Sequence, residues 1–221
     1  MKEININNLL RRYKKLYLPA VTDVLDKIGY TNQWLGKNIK PIGPVATIAG
    51  EAFTVKYAHS LFNTIEDSIE GDTDMLEKII NNNVIVVDNG GNEMTGLWGG
   101  MSALIAKKKG AQGLVIDGGV RDTAYIIKQG LPIYARFTSP LDSLGRFKII
   151  QTNVPIYINN IIIHPGDIIM GDYDGVLSIP RDIAQEVLLK VEDLVENEIK
   201  IRNALQSGML PKETGEKYGH F

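Results

Sequence analysis

Residues 84–122 read VIVVDNGGNEMTGLWGGMSALIAKKKGAQGLVIDGGVRD, and this stretch decides the fold. Val84–Asp88 is a short β-branched run without polar alternation, the pattern of a strand covered on both faces. A glycine-rich loop follows, then a helix over about 101–109 that places Met101, Leu104 and Ile105 inward. Lys107, Lys108 and Lys109 fall in its last turn and Gly110 stops it. Gly113–Asp117 repeats the strand pattern, Gly118-Gly119 leads into a helix over about 121–129, Gly130 ends that helix, and 132–138 (PIYARFT) begins a third strand. Strand, loop and helix twice in succession require parallel strands with crossover helices, which places the chain in the α/β class.

Outward from this core, the N-terminal segment 1–30 reads as helical. Leu9, Leu10, Tyr13 and Leu16 stand at helical spacing, Pro19 breaks the run, and a second piece capped by Thr22 or Asp23 ends at Gly29. Residues 41–58 form short β-like runs, and Asp74 with Glu77 resembles a capping box opening a short helix through Ile80. Residues 147–180 turn β-rich again around the turn signals Asn159-Asn160, Pro165-Gly166-Asp167 and 172–175 (DYDG). A long amphipathic helix runs over about 182–206, with Ile183, Val187, Val191, Leu194, Val195 and Ile199 on its apolar side. The expectation is one domain over 1–221, with its core in 41–180.

Composition narrows the chemistry. The chain has 221 residues, 24 Lys+Arg against 26 Asp+Glu, a net charge of -2, three His and no Cys. That balance gives no general attraction to phosphate backbones, so no nucleic-acid partner is expected. Without Cys there is no disulfide framework, thiolate zinc site, iron–sulfur cluster or cysteine nucleophile. His59, His164 and His220 are isolated, so any metal should be oxygen-liganded. The N-terminal stretch MKEININNLLRRYKKLYLPAV lacks a signal peptide's apolar core, and no apolar run reaches the ~18–20 residues that span a bilayer. The expectation is a cytoplasmic protein with no membrane partner.

No phosphate-binding G-x-x-x-x-G-K-[ST], dinucleotide G-x-G-x-x-G, H-E-x-x-H or G-x-S-x-G motif is present. Two glycine-rich strand-to-helix turns remain, and ligands of open α/β sheets gather at such strand ends. Gly99, Gly100, Met101 and Ser102 open a helix whose free N–H groups and dipole suit an anion, although two glycines also simply make a tight turn. At the second turn Arg121 offers a planar fork for a carboxylate or oxo group, and Asp122 suits a hard cation such as Mg²⁺. The plainer reading there is a helix start with Asp122 countering the dipole. Twenty residues separate Gly100 from Arg121, and consecutive βα units put both turns on one sheet edge. Asp88 and Asp117 end the two core strands as turn formers or as neighbours of the site. His164 reads as a turn residue, and Trp34 and Trp98 most simply bury apolar area, with Trp98 also able to wall a pocket.

Three segments carry a resemblance: WGGMSALIAKKKGAQGLVIDGGVRD at 98–122, SPLDSLGR at 139–146 and HPGDIIMGDYDGVLSIP at 164–180. Across about 23–208 the chain resembles the RraA-like superfamily (regulator of RNase E activity A-like). Within it, the similarity favours the branch of 4-hydroxy-4-methyl-2-oxoglutarate aldolases and oxaloacetate decarboxylases. The resemblance implies a swivelling β/β/α fold, like phosphohistidine domains, and a homotrimer or a hexamer of two trimers. It implies that Gly99, Gly100, Met101 and Ser102 bind a 2-oxo acid carboxylate, that Arg121 contacts its oxo oxygen or carboxylate, and that Asp122 ligates Mg²⁺ or Mn²⁺. Glu198 is the candidate, by position, for a glutamate reaching the metal waters from a neighbouring subunit; a plain solvated helix residue is the other reading. The implied activity is a divalent-metal-dependent aldolase, a lyase releasing pyruvate from a 4-hydroxy-2-oxo acid, with oxaloacetate decarboxylation through the same enolate. The alternative is a non-catalytic protein-binding regulator of an RNA-processing enzyme. Aldolase-type members usually carry R-D-x2-Glu/Asp, whereas Tyr125 stands here, a phenol in place of a carboxylate.

Overall fold

In the computed structural model, which describes residues 3–59, 64–89 and 93–219, the first half of the chain carries α1 (Ile6–Tyr13), α2 (Leu18–Lys27), β1 (Lys40–Pro41), β2 (Ile48–His59), α3 (Ile65–Lys78), β3 (Asn83–Asp88), β4 (Gly96–Trp98) and α4 (Gly100–Lys108). The second half carries β5 (Gly113–Val120), α5 (Thr123–Gln129), β6 (Ile133–Thr138), β7 (Phe147–Thr152), β8 (Ile156–Ile158), β9 (Ile161–Ile163), β10 (Ile168–Asp172), β11 (Gly175–Ile179), α6 (Ala184–Gln206) and α7 (Pro211–Tyr218).

The parallel core is present as expected. β2, β3, β5 and β6 lie side by side in parallel, with Val55 opposite Val87, Val87 opposite Ile116 and Ile116 opposite Ala135. Every residue of β3 and β5 is buried, which is why those strands read as unbroken apolar runs. β5 continues to Val120, beyond the expected end at Asp117, because β4 pairs with its last residues, Gly96 with Gly119 and Trp98 with Val120. The sheet order is β1-β6-β5-β3-β2-β10-β11, and one piece of chain nearly joins its two edges. Trp34 bridges Leu177 of β11, Leu35 N–H donates to Val176 O at 2.9 Å, and a few residues later Lys40 pairs with Ala135 of β6. The result is a barrel-like mixed sheet within an α/β fold.

Three apolar layers pack on it. On the outer face Ile85, Val87, Leu114, Ile116, Ile133 and Ala135 meet α3, α4 and α5. On the inner face Val84, Val86, Val115 and Tyr134 enclose the β8–β9 hairpin residues Ile156, Ile158, Ile161 and Ile163. A third cluster joins α1, α2 and α6 to β10 and β11, and Tyr13 OH donates to Ala184 O at 2.7 Å to tie α1 to α6. Among the described residues, no helix is long and apolar enough to cross a membrane.

Several local expectations change. Pro19 sits in the first turn of α2 instead of breaking a helix, since a first-turn residue needs no backbone donor. Tyr17 is the N-cap there; Thr22 instead donates back to Pro19 O at 2.8 Å. The capping box of α3 is not Asp74 with Glu77 but Thr64 with Asp67: Asp67 N–H donates to Thr64 Oγ1 at 3.0 Å, and Thr64 N–H to the Asp67 carboxylate at 3.2 Å. α4 buries its small residues Gly100, Ala103 and Ala106 and turns Met101 and Ile105 outward, because small side chains let the helix approach the sheet closely. Trp34 is half-exposed, while Trp98 is buried in the outer core. α7 follows Gly208 as an additional short helix.

The core reading is testable by truncation. Ile116→Ala, at a fully buried position, should cost ~2–5 kcal/mol by urea midpoint. Ile150→Ala, on a half-exposed edge, should change stability by about 0.5 kcal/mol or less. Equal costs would contradict this layer assignment.

Candidate active site

The two consecutive turns meet because β4 lays the first one along the end of β5. Arg121 N–H donates to Trp98 O at 2.9 Å, which fixes the chain before α4 beside the chain before α5. The approach leaves no space for a side chain at Gly96, where a Cβ would lie 2.8 Å from Arg121 Cβ. Asp122 then adopts a left-handed conformation, φ 54° and ψ 31°, uncommon for a residue with a side chain. In that conformation its carboxylate does not cap its own helix. It reaches across to accept Gly100 N–H at 3.0 Å, at the positive end of the α4 dipole. One hydrogen bond thus ties the start of α4 to the start of α5.

Arg121 lies beside this contact. Its guanidinium is ion-paired with Asp142, and its Nε stands 3.8 Å from the Asp122 carboxylate. Asp142 is held by its own loop, accepting Leu144 N–H at 3.2 Å on its carboxylate and Arg146 on its backbone carbonyl at 2.9 Å. The side chains of Arg121, Asp142 and Asp122 are 29%, 42% and 47% exposed, so all three face solvent and a ligand can reach them. The cleft has a volume of about 400 Å³, and Gly99, Gly100, Met101, Ser102, Arg121 and Asp122 line it together with Asp72 and Asp142. A second hollow of about 480 Å³ adjoins it between Met101, Asp122 and Tyr125. Tyr125 occupies the space a side chain at position 100 would need, since a Cβ there would be 2.6 Å from its ring.

The structure therefore brings together Gly99, Gly100, Met101 and Ser102 of the first turn with Arg121 and Asp122 of the second. It does not bring Asp88, Asp117 or Glu198 to them within the chain. Asp88 and Asp117 alternate with the buried outer-face residues of their strands and so lie on the inner face, the side of Val86 and Val115. There Asp88 accepts Tyr157 N–H at 3.5 Å and Asp117 is ion-paired with Arg136. Glu198 accepts the hydroxyl of Tyr17 on the α2–α6 side. His164 is a turn residue, its N–H donating to the Asp167 carboxylate at 2.8 Å, and His59 packs edge-on to Phe147. His220 lies outside the described residues.

Two site residues escaped the sequence. Asp142 falls inside the SPLDSLGR stretch, yet only the fold shows that it pairs with Arg121. Asp72 projects from α3, and nothing in its neighbourhood of sequence marks it. Its carboxylate accepts Tyr57 OH at 3.2 Å, and burial together with the nearby Asp142 charge pushes its pKa up to about 6, against the smaller opposing effect of the Tyr57 hydrogen bond. Burial pushes the Tyr57 hydroxyl up as well, so it stays a neutral donor.

For a metal, the donor set fits one kind of ion. Among the described residues no three His, Asp or Glu side chains converge. Asp122, half-exposed with one carboxylate oxygen on Gly100, suits a hard cation that keeps most of its water, as Mg²⁺ does.

A family model described as RraA-like (Aldolase/RraA) matches residues 18–178. Protein DlpA of Legionella pneumophila is 30% identical over 213 residues, covering 96% of this chain and 34% of DlpA, so the chain spans about a third of that relative's length. A protein of Halalkalibacterium halodurans named as a putative 4-hydroxy-4-methyl-2-oxoglutarate aldolase is 30% identical over 189 residues, covering 84% of this chain and 82% of that protein. A crystal structure described as belonging to novel cellulases from microbes associated with the gut ecosystem superposes with a TM-score of 0.86 at 39% identity, covering 90% and 89% of the two chains.

The raised Asp72 pKa has a definite sign for stability. The folded state holds this proton more tightly than the unfolded chain, so the contribution is full below pH ~4 and is lost as pH rises through about 6. Asp72→Asn should therefore raise the thermal midpoint at pH 8 and barely change it at pH 4.5. An equal effect at both pH values in thermal melts would contradict the assignment.

Proposed function

The chain belongs to the RraA-like family, and from that membership we propose that it is a carbon–carbon lyase releasing pyruvate from a 4-hydroxy-2-oxo acid, with oxaloacetate decarboxylation through the same enolate. The observation that carries this reading is the meeting of the α4 N-terminus, Arg121 and Asp122 on one cleft. A helix N-terminus with glycines at its first positions binds the substrate's carboxylate through backbone N–H groups. Arg121 directs its guanidinium at the 2-oxo oxygen, where negative charge grows as the bond to C3 breaks. Asp122 would hold Mg²⁺ or Mn²⁺, which supplies Lewis acidity for the same charge.

Asp142 is ion-paired with Arg121, and the substrate carboxylate or oxo group takes its place. Exposed pairs of this kind are worth only ~0–1 kcal/mol, so the exchange costs little. The putative aldolase name of the Halalkalibacterium relative supports this chemistry. Glycoside cleavage, which the cellulase description suggests, needs an acid and a carboxylate facing each other across a sugar, whereas Asp122 and Asp142 both turn to Arg121. Around the cleft Met101, Ile105 and Tyr125 are exposed apolar surface, which a neighbouring copy would cover in a homotrimer or a hexamer. Glu198 of such a neighbour is the proposed source of a further carboxylate.

The test is pyruvate release from 4-hydroxy-4-methyl-2-oxoglutarate and from oxaloacetate, with and without added Mg²⁺ or Mn²⁺. Arg121→Lys and Asp122→Asn should each lower the rate ~10²–10³-fold. Release that is indifferent to EDTA, or unchanged in Asp122→Asn, would overturn the reading. Light scattering should give the mass of three or six 24.5-kDa chains.

A further inference from the structure

The lyase reading leaves one chemical step without an actor. Cleavage delivers the enolate of pyruvate, and release of pyruvate requires a proton at C3. Three aspartates line the cleft, and their partners separate them. Asp122 accepts Gly100 N–H and lies near Arg121, and Asp142 is ion-paired with Arg121. Asp72 has no ion pair among the described residues, accepts only the neutral hydroxyl of Tyr57, and is more buried than a surface carboxylate. The like charge of Asp142 acts on it and raises its pKa further. Arg121 pairs with Asp142 and not with Asp72, so burial and the like charge of Asp142 push Asp72 upward with no cation to offset them.

We propose that Asp72 protonates C3 of the pyruvate enolate, and so acts as the general acid of the cleft. The inference rests on the lyase reading and adds an acid to it. The O–H bond of Asp72 breaks, the electron pair of the enolate C2–C3 double bond forms the new C3–H bond, and the C2–O bond becomes the carbonyl of pyruvate. Asp72 leaves as a carboxylate and regains its proton from water. In reverse, the carboxylate removes a proton from the pyruvate methyl group. The raised pKa suits this work, because a group poised near 6 gives up and regains its proton more readily near neutral pH than an ordinary carboxylate.

The other groups facing Asp72 are few. β2 contributes Tyr57 and, two residues on and on the same face, His59. The loop after β6 contributes Asp142, and the turn after β5 contributes Arg121 and Asp122. β7 turns Phe147 and Ile149 toward the outer core, and the lysines of α4 lie at its far end, where Lys109 donates to Glu77 O. His59 is the rival imidazole among the described residues here, and His59→Gln separates the two.

The experiment follows exchange of the pyruvate methyl protons with D₂O by proton NMR, with Mg²⁺ present, beside oxaloacetate consumption. In the wild-type chain exchange should rise with pH through about 6, as Asp72 becomes a base. In Asp72→Asn exchange should fall ~10²-fold or more. Tyr57→Phe removes a hydrogen bond that favours the carboxylate, so it should shift the exchange midpoint to higher pH, and His59→Gln should leave it in place. A carboxyl carbon resonance titrating near pH 6 in ¹³C-aspartate-labelled protein, and absent from Asp72→Asn, reports the same proton without any turnover.

Exchange at the wild-type rate in Asp72→Asn, or a midpoint that moves with His59 and not with Tyr57, would overturn the assignment while leaving the lyase reading intact. Exchange without pyruvate release from any oxo acid would sink the lyase reading and keep Asp72 as the acid. Loss of both in the wild-type chain would remove the two together.

Discussion

Parallel neighbours in a sheet can be joined only by a crossover that carries the chain back to the edge where it began. β3, β5 and β6 are such neighbours, and this constraint places the turn before α4 and the turn before α5 side by side. The short strand β4 makes the adjacency exact to one residue by pairing with the end of β5. Asp122, forced into a left-handed conformation, then spends its carboxylate on the start of the other helix. Everything at the site follows from that stitch: an arginine, a carboxylate and a helix N-terminus converge without any of them sitting in the apolar core.

The charges of the cleft form a graded set. One guanidinium serves two aspartates, and a third is left to a tyrosine hydroxyl. Because the paired side chains remain partly exposed, their mutual attraction is screened and the arginine can change partners. The more sheltered Asp72 has no cation partner among the described residues, and burial pushes its pKa up to about 6 instead. Environment, and not residue type, gives three chemically identical side chains three different tasks. The arrangement also separates site from scaffold: Asp88 and Asp117, just as acidic, face the inner layer and are used up by Tyr157 N–H and Arg136.

Much of this was legible in the residues. The unbroken apolar runs at 84–88 and 113–117 announce strands buried on both faces, and twenty residues between Gly100 and Arg121 announce one crossover between two turns. Glycine at 100 reads as a backbone left open, and the structure adds the reason, the ring of Tyr125 against it. Helix polarity was harder. Met101 and Ile105 look inward by type, yet α4 rests on Ala103 and Ala106, and only packing distances decide such a case. Pro19 fits both a break and the first turn of a helix, and Asp74 misled because the box that opens α3, Thr64 with Asp67, lies well upstream of it. Asp72 and Asp142 could not be found from spacing at all. Asp142 meets Arg121 and Asp72 meets Tyr57 by tertiary contact between separate segments, and no local pattern encodes either pairing.

The central claim is that Arg121, Asp122 and the α4 N-terminus act together on one planar, dianionic ligand. Oxalate has the shape and charge of the pyruvate enolate, so calorimetric titration of oxalate in the presence of Mg²⁺ tests that claim most directly. The account expects binding that needs the metal and weakens at least ~10-fold, about 1.4 kcal/mol, in both Arg121→Lys and Asp122→Asn. Oxalate binding of equal strength in the wild-type chain and in both variants would contradict it.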